Sequence, residues 1–286
     1  MLQVLQISDL HLTAPGKMMF DRDGEETLRV VLDDAERRGL IPDVVVATGD
    51  LVHDGDVGGY DRLGRLLASL GVPVYCIAGN HDLADPFETV LPRAGVHIER
   101  FARFENWAFV FIDSNRAGRT RNDRGALVDV DDRGHAARLG AVDEAELDWL
   151  ERAITTTTAE HVFVWLHHPL VSHPRFQPAT TSAYCDSVMS RLGDGRVKAI
   201  GAGHLHCAFE TVVGGLTMYG CPSTWLVMDF ENDVIAPPGY RWYSLHDDGR
   251  IESTVLSTDD PRYAKRAPLP AFVVTLMTGE MGLGSH

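Results

Sequence analysis

The chain has 286 residues, 44% of them hydrophobic, enough to bury one large core. Its formal net charge is −15, from 26 basic and 41 acidic residues, which argues against the cationic surface that a nucleic-acid polymer requires. No apolar run reaches membrane-spanning length, and a strand expected from Leu2 leaves no room for a secretory leader before Asp9, so a cytoplasmic protein is expected.

Leu2-Gln3-Val4-Leu5-Gln6-Ile7 alternates and predicts a first strand, followed by a loop with Pro15 and Gly16. Leu28, Val31, Leu32 and Ala35 recur at helical spacing between Glu25 and Arg38, with Gly39 as the stop. Asp43 to Ala47 is a continuous apolar run after its first residue, the pattern of a strand covered on both faces. A second helix opens at Gly58-Gly59, presents Leu63, Leu66, Leu67 and Leu70, and closes at Gly71; Val72 to Ala78 is a third strand. This β-α-β-α-β order predicts right-handed crossovers and a largely parallel first sheet. His97–Phe104 and Trp107–Asp113 predict strands around a hairpin-like break at Glu105-Asn106. The stretch from Arg116 to Leu139 is rich in Arg, Asp and Gly, lacks periodicity, and predicts a long surface loop or insert centred on 119–139.

A helix is predicted over Asp143–Ile154, with Asp143 and Glu146 spaced as a capping box and Leu147, Leu150 and Ile154 on the apolar face. A strand His161–Leu166, a loop with Pro169, Pro174 and Pro178, a helix near Ser182–Leu192 and a strand Val197–Ala202 follow. Residues 208–260 read as β-rich, with strands Phe209–Val213, Thr217–Gly220, Trp225–Phe230, Tyr240–His246 and Arg250–Ser257. Gly282 to His286 reads as an unstructured tail, and one α/β domain over residues 1–286 is expected. Cys76, Cys185, Cys207 and Cys221 form no Cys-x-x-Cys pair and are expected to be reduced thiols.

Five predicted strands end in the same kind of side chain. They run into Ser8-Asp9-Leu10-His11, Thr48-Gly49-Asp50, Gly79-Asn80-His81-Asp82, His167-His168 and Gly203-His204-Leu205-His206. Ligands bind outside the carboxyl ends of strands in open α/β sheets, and a core requires no such recurrence. Asp, Asn and His without thiolate suit Mn, Fe, Zn, Co or Mg ions. Asp9, His11, Asp50, Asn80, His167, His204 and His206 make seven donors, too many for one catalytic metal with an open position and suited to two that share a carboxylate. His168 should point away from its neighbour along an extended segment and support the site. His53 is expected to line the pocket at most, without ligating, while His97, His135, His161, His173 and His246 default to the surface.

In this order, across residues 9 to 206, the blocks Asp9-x-His11, Gly49-Asp50, Gly79-Asn80-His81-Asp82, His167-His168 and Gly203-His204-x-His206 resemble those of the calcineurin-like metallophosphoesterases. The resemblance implies a four-layer αββα sandwich of two mixed sheets flanked by helices. It implies Asp9, His11 and His206 on a first metal ion, Asn80, His167 and His204 on a second, and Asp50 bridging, with in-line attack on phosphorus by a metal-activated hydroxide. His81 resembles the family's substrate-facing histidine, which contacts the phosphate or protonates the leaving oxygen, and Asp82 would orient it.

The central block is not the Glu-bearing variant of the protein phosphatases. Phe111-Ile112-Asp113-Ser114 with Arg116-Ala117-Gly118, Trp149-Leu150-Glu151 and His167-His168-Pro169 resemble the bacterial class III cyclic nucleotide phosphodiesterases and glycerophosphodiesterases, with Leu170 where a second Pro is usual. Cys221-Pro222-Ser223-Thr224 and Pro237-Pro238-Gly239-Tyr240-Arg241 resemble the C-terminal segment of the cyclic AMP branch, whereas the Arg/Asp-rich insert is a departure from the glycerophosphodiesterase branch. The resemblance thus implies a dinuclear metal-dependent phosphodiesterase on small phosphodiesters, with 3′,5′-cyclic nucleotides, cAMP first, as substrate and a homodimer as a compatible assembly. A glycerophosphodiesterase or a broad-specificity phosphomonoesterase is the alternative within the fold; a non-catalytic metal-binding scaffold is the alternative of another class. Phe20, Trp225, Tyr219 and Tyr240 are the aromatic candidates to hold an organic group, if they are not core.

Overall fold

Alternate residues of β1 (Leu2–Ile7) and β2 (Val44–Thr48) enter different cores, as the two-residue period of a strand requires. Val4, Val44 and Val46 pack with Trp107, Phe109, Phe163 and Trp165 of a second sheet. Leu5, Ile7, Val45 and Ala47 pack instead with Leu28 and Val31 of α1 (Gly24–Arg37) and Tyr60 and Leu63 of α2 (Val57–Ala68). The second sheet divides in the same way. From β5 (Trp107–Phe111), Trp107, Phe109 and Phe111 face the first sheet. Ala108 and Val110 meet Leu147, Leu150 and Ile154 of α4 (Glu144–Thr156) and Val188 of α5 (Cys185–Arg191). The result is the expected four-layer αββα sandwich.

The computed structural model describes residues 1–53, 57–115, 119–121, 127–129, 140–171, 184–193, 195–264 and 266–269. In the first sheet, β1, β2 and β3 (Val74–Ile77) are parallel, and β14 (Gly239–Leu245) and β15 (Ile251–Ser257) add antiparallel beside β1. In the second, β5, β8 (His161–Trp165), β9 (Val197–Ala202) and β11 (Leu216–Gly220) are parallel, with β4 (Phe101–Phe104) and β10 (Phe209–Val213) antiparallel at the edges. Both sheets are therefore mixed. All the strands that carry a predicted donor block at their ends are parallel ones, which brings the five blocks to one edge.

Local chemistry accounts for the helix starts. The Asp23 carboxylate accepts from the Glu25 and Glu26 N–H groups at 2.9 and 3.2 Å, and Asp143 accepts from Glu146 N at 2.7 Å. The predicted capping box is only half made, because the buried Glu146 side chain accepts from Arg100 and from Asp113 N instead. The predicted strand His97–Phe104 shortens to Phe101–Phe104, and Trp225–Phe230 shortens to β12 (Val227–Asp229). β13 (Val234–Ala236) and a two-residue β16 (Ala267–Pro268) pair with it in a small sheet that was not anticipated. Nor was α3 (Ala84–Val90), too short for a visible period, with its following 3-10 turn Pro92–Ala94. Within the expected loop, β6 (Arg119–Arg121) and β7 (Leu127–Asp129) pair as antiparallel strands. The rest of that insert, His135, His173, the start of the predicted helix at Ser182 and the tail from Gly282 lie outside the described residues.

Candidate metal centre

The donor blocks meet around one oxygen atom. Asp50 Oδ2 lies 3.6 Å from His11 Nε2 and 3.5 Å from His167 Nε2, so imidazoles from the ends of β1 and β8 converge on the same carboxylate. On one side, the ligand atoms of Asp9, His11, Asp50 and His206 all lie within 4.8 Å of one another. His206 Nε2 is 3.1 Å from His11 Nε2 and 3.5 Å from Asp9 Oδ1. On the other side, His167 Nε2 is 3.1 Å from Asn80 Oδ1, and the ring nitrogens of His167, His168 and His204 fall within 4.8 Å of one another. All seven predicted donors are thus brought together. His168 joins them as well, although its Nδ1 is 2.8 Å from Ser114 Oγ.

The chain pays a conformational cost to present these groups. Asp9, His11, Asp50, His204 and His206 all have left-handed backbone, with φ between 46° and 71°. That conformation costs an L-residue about 1–2 kcal/mol, and it persists only where the surroundings over-determine it. The surroundings here are backbone hydrogen bonds between blocks: Asp9 N donates to Gly49 O at 3.0 Å and His11 N to Asp50 O at 2.9 Å. His204 N donates to both Asp9 carboxylate oxygens at 3.1 and 3.0 Å. Gly49 has φ +90°, and a Cβ there would enter the His167 ring; a Cβ on Gly79 would enter the Asp50 carboxyl group. These two glycines make room for the donors packed against them.

The electrostatics are those of a site built around charge. Burial pushes the Asp50 carboxyl up, but His167 and His11 outweigh it and hold Asp50 well below the ordinary range. Burial likewise pushes His167 down, but Asp50, Asp9 and the Thr48 carbonyl raise it to about 9. Burial raises Asp9 and lowers His11 well below its ordinary value. Close-packed Asp, Asn and His oxygen and nitrogen donors, most of them buried, on either side of the Asp50 carboxylate fit a pair of hard or borderline metal ions. The four cysteines are buried free thiols and supply no atom to these groups.

Supporting residues differ from expectation at two points. Asp82 does not orient His81. Its carboxylate accepts from Leu51 N, Val52 N, Gly79 N at 2.8 Å and Tyr60 Oη at 2.8 Å, and so ties the Asp50 loop to the central block. Four donors converge there, and its carboxyl, raised to about 6 by burial and by Asp50, has no link to the His81 ring. His81 instead donates its backbone N–H to Asp50 Oδ1 at 2.9 Å and stacks its exposed ring on His53, centroids 4.6 Å apart. His53 lies beside the site, with its Nδ1 2.9 Å from His11 Nδ1, and it shares with His11 and His81 a third group of ring nitrogens within 4.8 Å of one another, although spacing argued against its ligating. Ser223 and Thr48 stand in blocks that the sequence singled out, but these roles were not foreseen: Ser223 Oγ donates to Asp9 O at 2.8 Å, and the Thr48 backbone carbonyl lies 2.8 Å from His167 Nδ1. Such supporting contacts carry no periodic signal. Of the four aromatic candidates, Tyr219, Tyr240 and Trp225 are core residues, and Trp225 also packs its ring 4.9 Å from His11.

Comparison with known proteins agrees with this geometry. The family model described as calcineurin-like phosphoesterase matches residues 2–208. The chain is 30% identical over 272 residues, 90% of each chain, to the 3′,5′-cyclic adenosine monophosphate phosphodiesterase CpdA of Pseudomonas aeruginosa. It is 27% identical to the protein of the same name from Escherichia coli K12, over 91% of each chain. Among solved structures it resembles a dimetal phosphatase from Danio rerio with TM-score 0.59 and 18% identity, over 90% of this chain and 99% of that one, a likeness of fold.

Proposed function

The chain belongs to the calcineurin-like phosphoesterase family, and we propose that within it the protein is a dinuclear metal-dependent phosphodiesterase acting on small phosphodiesters, cAMP foremost. The observation that carries this reading is Asp50 Oδ2, set between His11 Nε2 and His167 Nε2 at 3.6 and 3.5 Å, as a carboxylate shared by two ions must be. Asp9, His11 and His206 would hold one ion, and Asn80, His167 and His204 the other. Bound there, the ions supply a water of lowered pKa and neutralise charge on the phosphoryl oxygens.

The chain's own residues do the rest. Asp50 Oδ1 fixes the backbone of His81, and His53 stacks on its ring, so an exposed imidazole is held at the mouth of the donor cluster. When hydroxide adds to the phosphorus of a cyclic diester, the P–O bond that breaks releases a poorly stabilised ribose alkoxide, still attached to the ring-opened product, and His81 is the group that would protonate it. The names of the relatives at 30% and 27% identity support a cyclic nucleotide over other diesters. Four buried free thiols fit a reducing compartment such as the cytoplasm. No helix among the described residues is long and apolar enough to cross a membrane.

The test is Mn²⁺-supplemented hydrolysis of bis(p-nitrophenyl) phosphate beside p-nitrophenyl phosphate, then of 3′,5′-cAMP, with Asn80→Ala as control. Diester turnover above monoester turnover, lost in the variant, is the expected result. A monoester preference would make the protein a phosphatase, and bound metal without turnover of any ester would make it a scaffold.

A further inference from the structure

Phe20 is a partly exposed aromatic side chain on a strained turn. Met19 and Arg22 exchange both backbone hydrogen bonds at 3.0 Å, so Phe20 and Asp21 form the two-residue tip of a hairpin. Both are left-handed, with φ of 50° and 56°. This is the turn that Asn-Gly ordinarily occupies, and a bulky side chain there is an outlier. The Phe20 side chain is nevertheless presented outward, 48% exposed.

The hairpin is anchored from beneath. The buried Arg22 guanidinium donates from Nη1 to Trp225 O at 2.9 Å and from Nη2 to Ala236 O at 3.2 Å. That fixes Phe20 against Trp225, with ring centroids 5.8 Å apart. Trp225 in turn lies 4.9 Å from the His11 ring and 6.0 Å from the His206 ring. A rigid, exposed aromatic ring therefore stands one side chain away from the first donor group. A nucleoside cyclic phosphate has a matching layout, with a flat base one sugar away from its phosphorus. Strained non-glycine residues gather at ligand-binding positions, and base–aromatic stacking needs only an accessible ring face.

We propose that Phe20 is a specificity-determining residue that stacks on the base of a nucleoside 3′,5′-cyclic phosphate while the diester sits on the donor cluster. The proposal rests on the diesterase reading above. It is tested with a matched pair of substrates: cAMP, and methyl ribofuranoside 3′,5′-cyclic phosphate, which is the same diester without the base. The wild-type protein should favour cAMP, and F20A should lower kcat/KM for cAMP about tenfold or more, mainly through KM. F20Y, which keeps a ring, should retain the preference. Saturation-transfer NMR with AMP should show the base protons H2 and H8 in contact with the wild-type protein and not with F20A. An unchanged cAMP preference in F20A, with an active wild type, overturns the role of Phe20 alone. A wild type that hydrolyses neither diester overturns the diesterase reading and this proposal with it. A loss in F20A that falls equally on both diesters also overturns the proposal, because the hairpin would then be supporting the donors rather than the base.

Discussion

The Nδ1 atoms of His11 and His53 lie 2.9 Å apart. His11 turns its other nitrogen, Nε2, toward Asp50 Oδ2 and His206 Nε2. For Nε2 to bind a metal, Nδ1 must carry the proton, and it then donates to His53 Nδ1. An imidazole here occupies the place usually taken by a carboxylate or carbonyl behind a ligating histidine. His53→Ala should therefore weaken one of two Mn²⁺ sites about 10–100-fold in calorimetric titration and spare the other. His53→Asn, whose Oδ1 can accept the same proton, should restore most of the loss. Equal affinities in wild type and His53→Ala would dismiss this role.

The contacts of Asp82 predict an effect on stability rather than on chemistry. Three backbone N–H groups and the Tyr60 hydroxyl converge on its carboxylate. Asp82→Ala leaves those donors without their acceptor, at a cost of about 2–4 kcal/mol in urea unfolding, whereas Tyr60→Phe should cost about 1 kcal/mol. Both should weaken metal binding only in proportion to the unfolding of the loop. A stable Asp82→Ala protein that had lost only turnover would restore a direct role toward His81.

Much of this was legible in the sequence because strand ends and polar blocks are local. Leu2–Ile7 and Val197–Ala202 were read to the residue, and the seven side chains proposed as donors all come just after an apolar run. What was not legible depends on backbone conformation and on distant partners. Nothing in Gly79-Asn80-His81-Asp82 says that Asp82 turns back toward Leu51 and Val52 while His81 turns outward. Nor does the chain between Pro15 and Arg22 announce a hairpin, since Phe-Asp has none of the turn chemistry that usually marks one. The short α3 escaped for a related reason, having only Pro86 and Phe87 buried along it.

The charge on His167 gives the metal-free protein a definite pH response. Its pKa is raised from 6.5 to about 9, despite burial, by Asp50 and Asp9. A raised folded-state pKa adds stability that is complete below the unfolded value and is lost as the pH climbs through the folded one. The metal-free protein should therefore lose roughly 2–4 kcal/mol between pH 6.5 and pH 9. Metal binding must displace that proton, so affinity should rise with pH over the same window, by up to about tenfold per unit, and loading should release protons into a weak buffer. His167→Gln should flatten the metal-free stability profile. A profile already flat in the wild type would show that His167 carries no such charge.

The leaving group decides what His81 does. Its backbone is tied to Asp50 Oδ1 and its ring is stacked on His53, so His81→Asn keeps the main-chain bond and removes only the imidazole. A p-nitrophenolate departs without a proton, whereas the alkoxide released from a ribose ring needs one. If His81 is the proton donor, His81→Asn should lower kcat for cAMP about 10²–10⁴-fold and kcat for bis(p-nitrophenyl) phosphate far less. Metal content is measured on the same samples, because a ring nitrogen of His81 lies within 4.8 Å of ring nitrogens of His11 and His53, and an unchanged content is what separates a lost proton donor from a lost ligand. Equal losses on the two substrates would mean that the ring binds the phosphoryl group in both reactions, and that the proton comes from elsewhere. The two outcomes separate a general acid from an electrostatic contact by the chemistry of the departing oxygen alone.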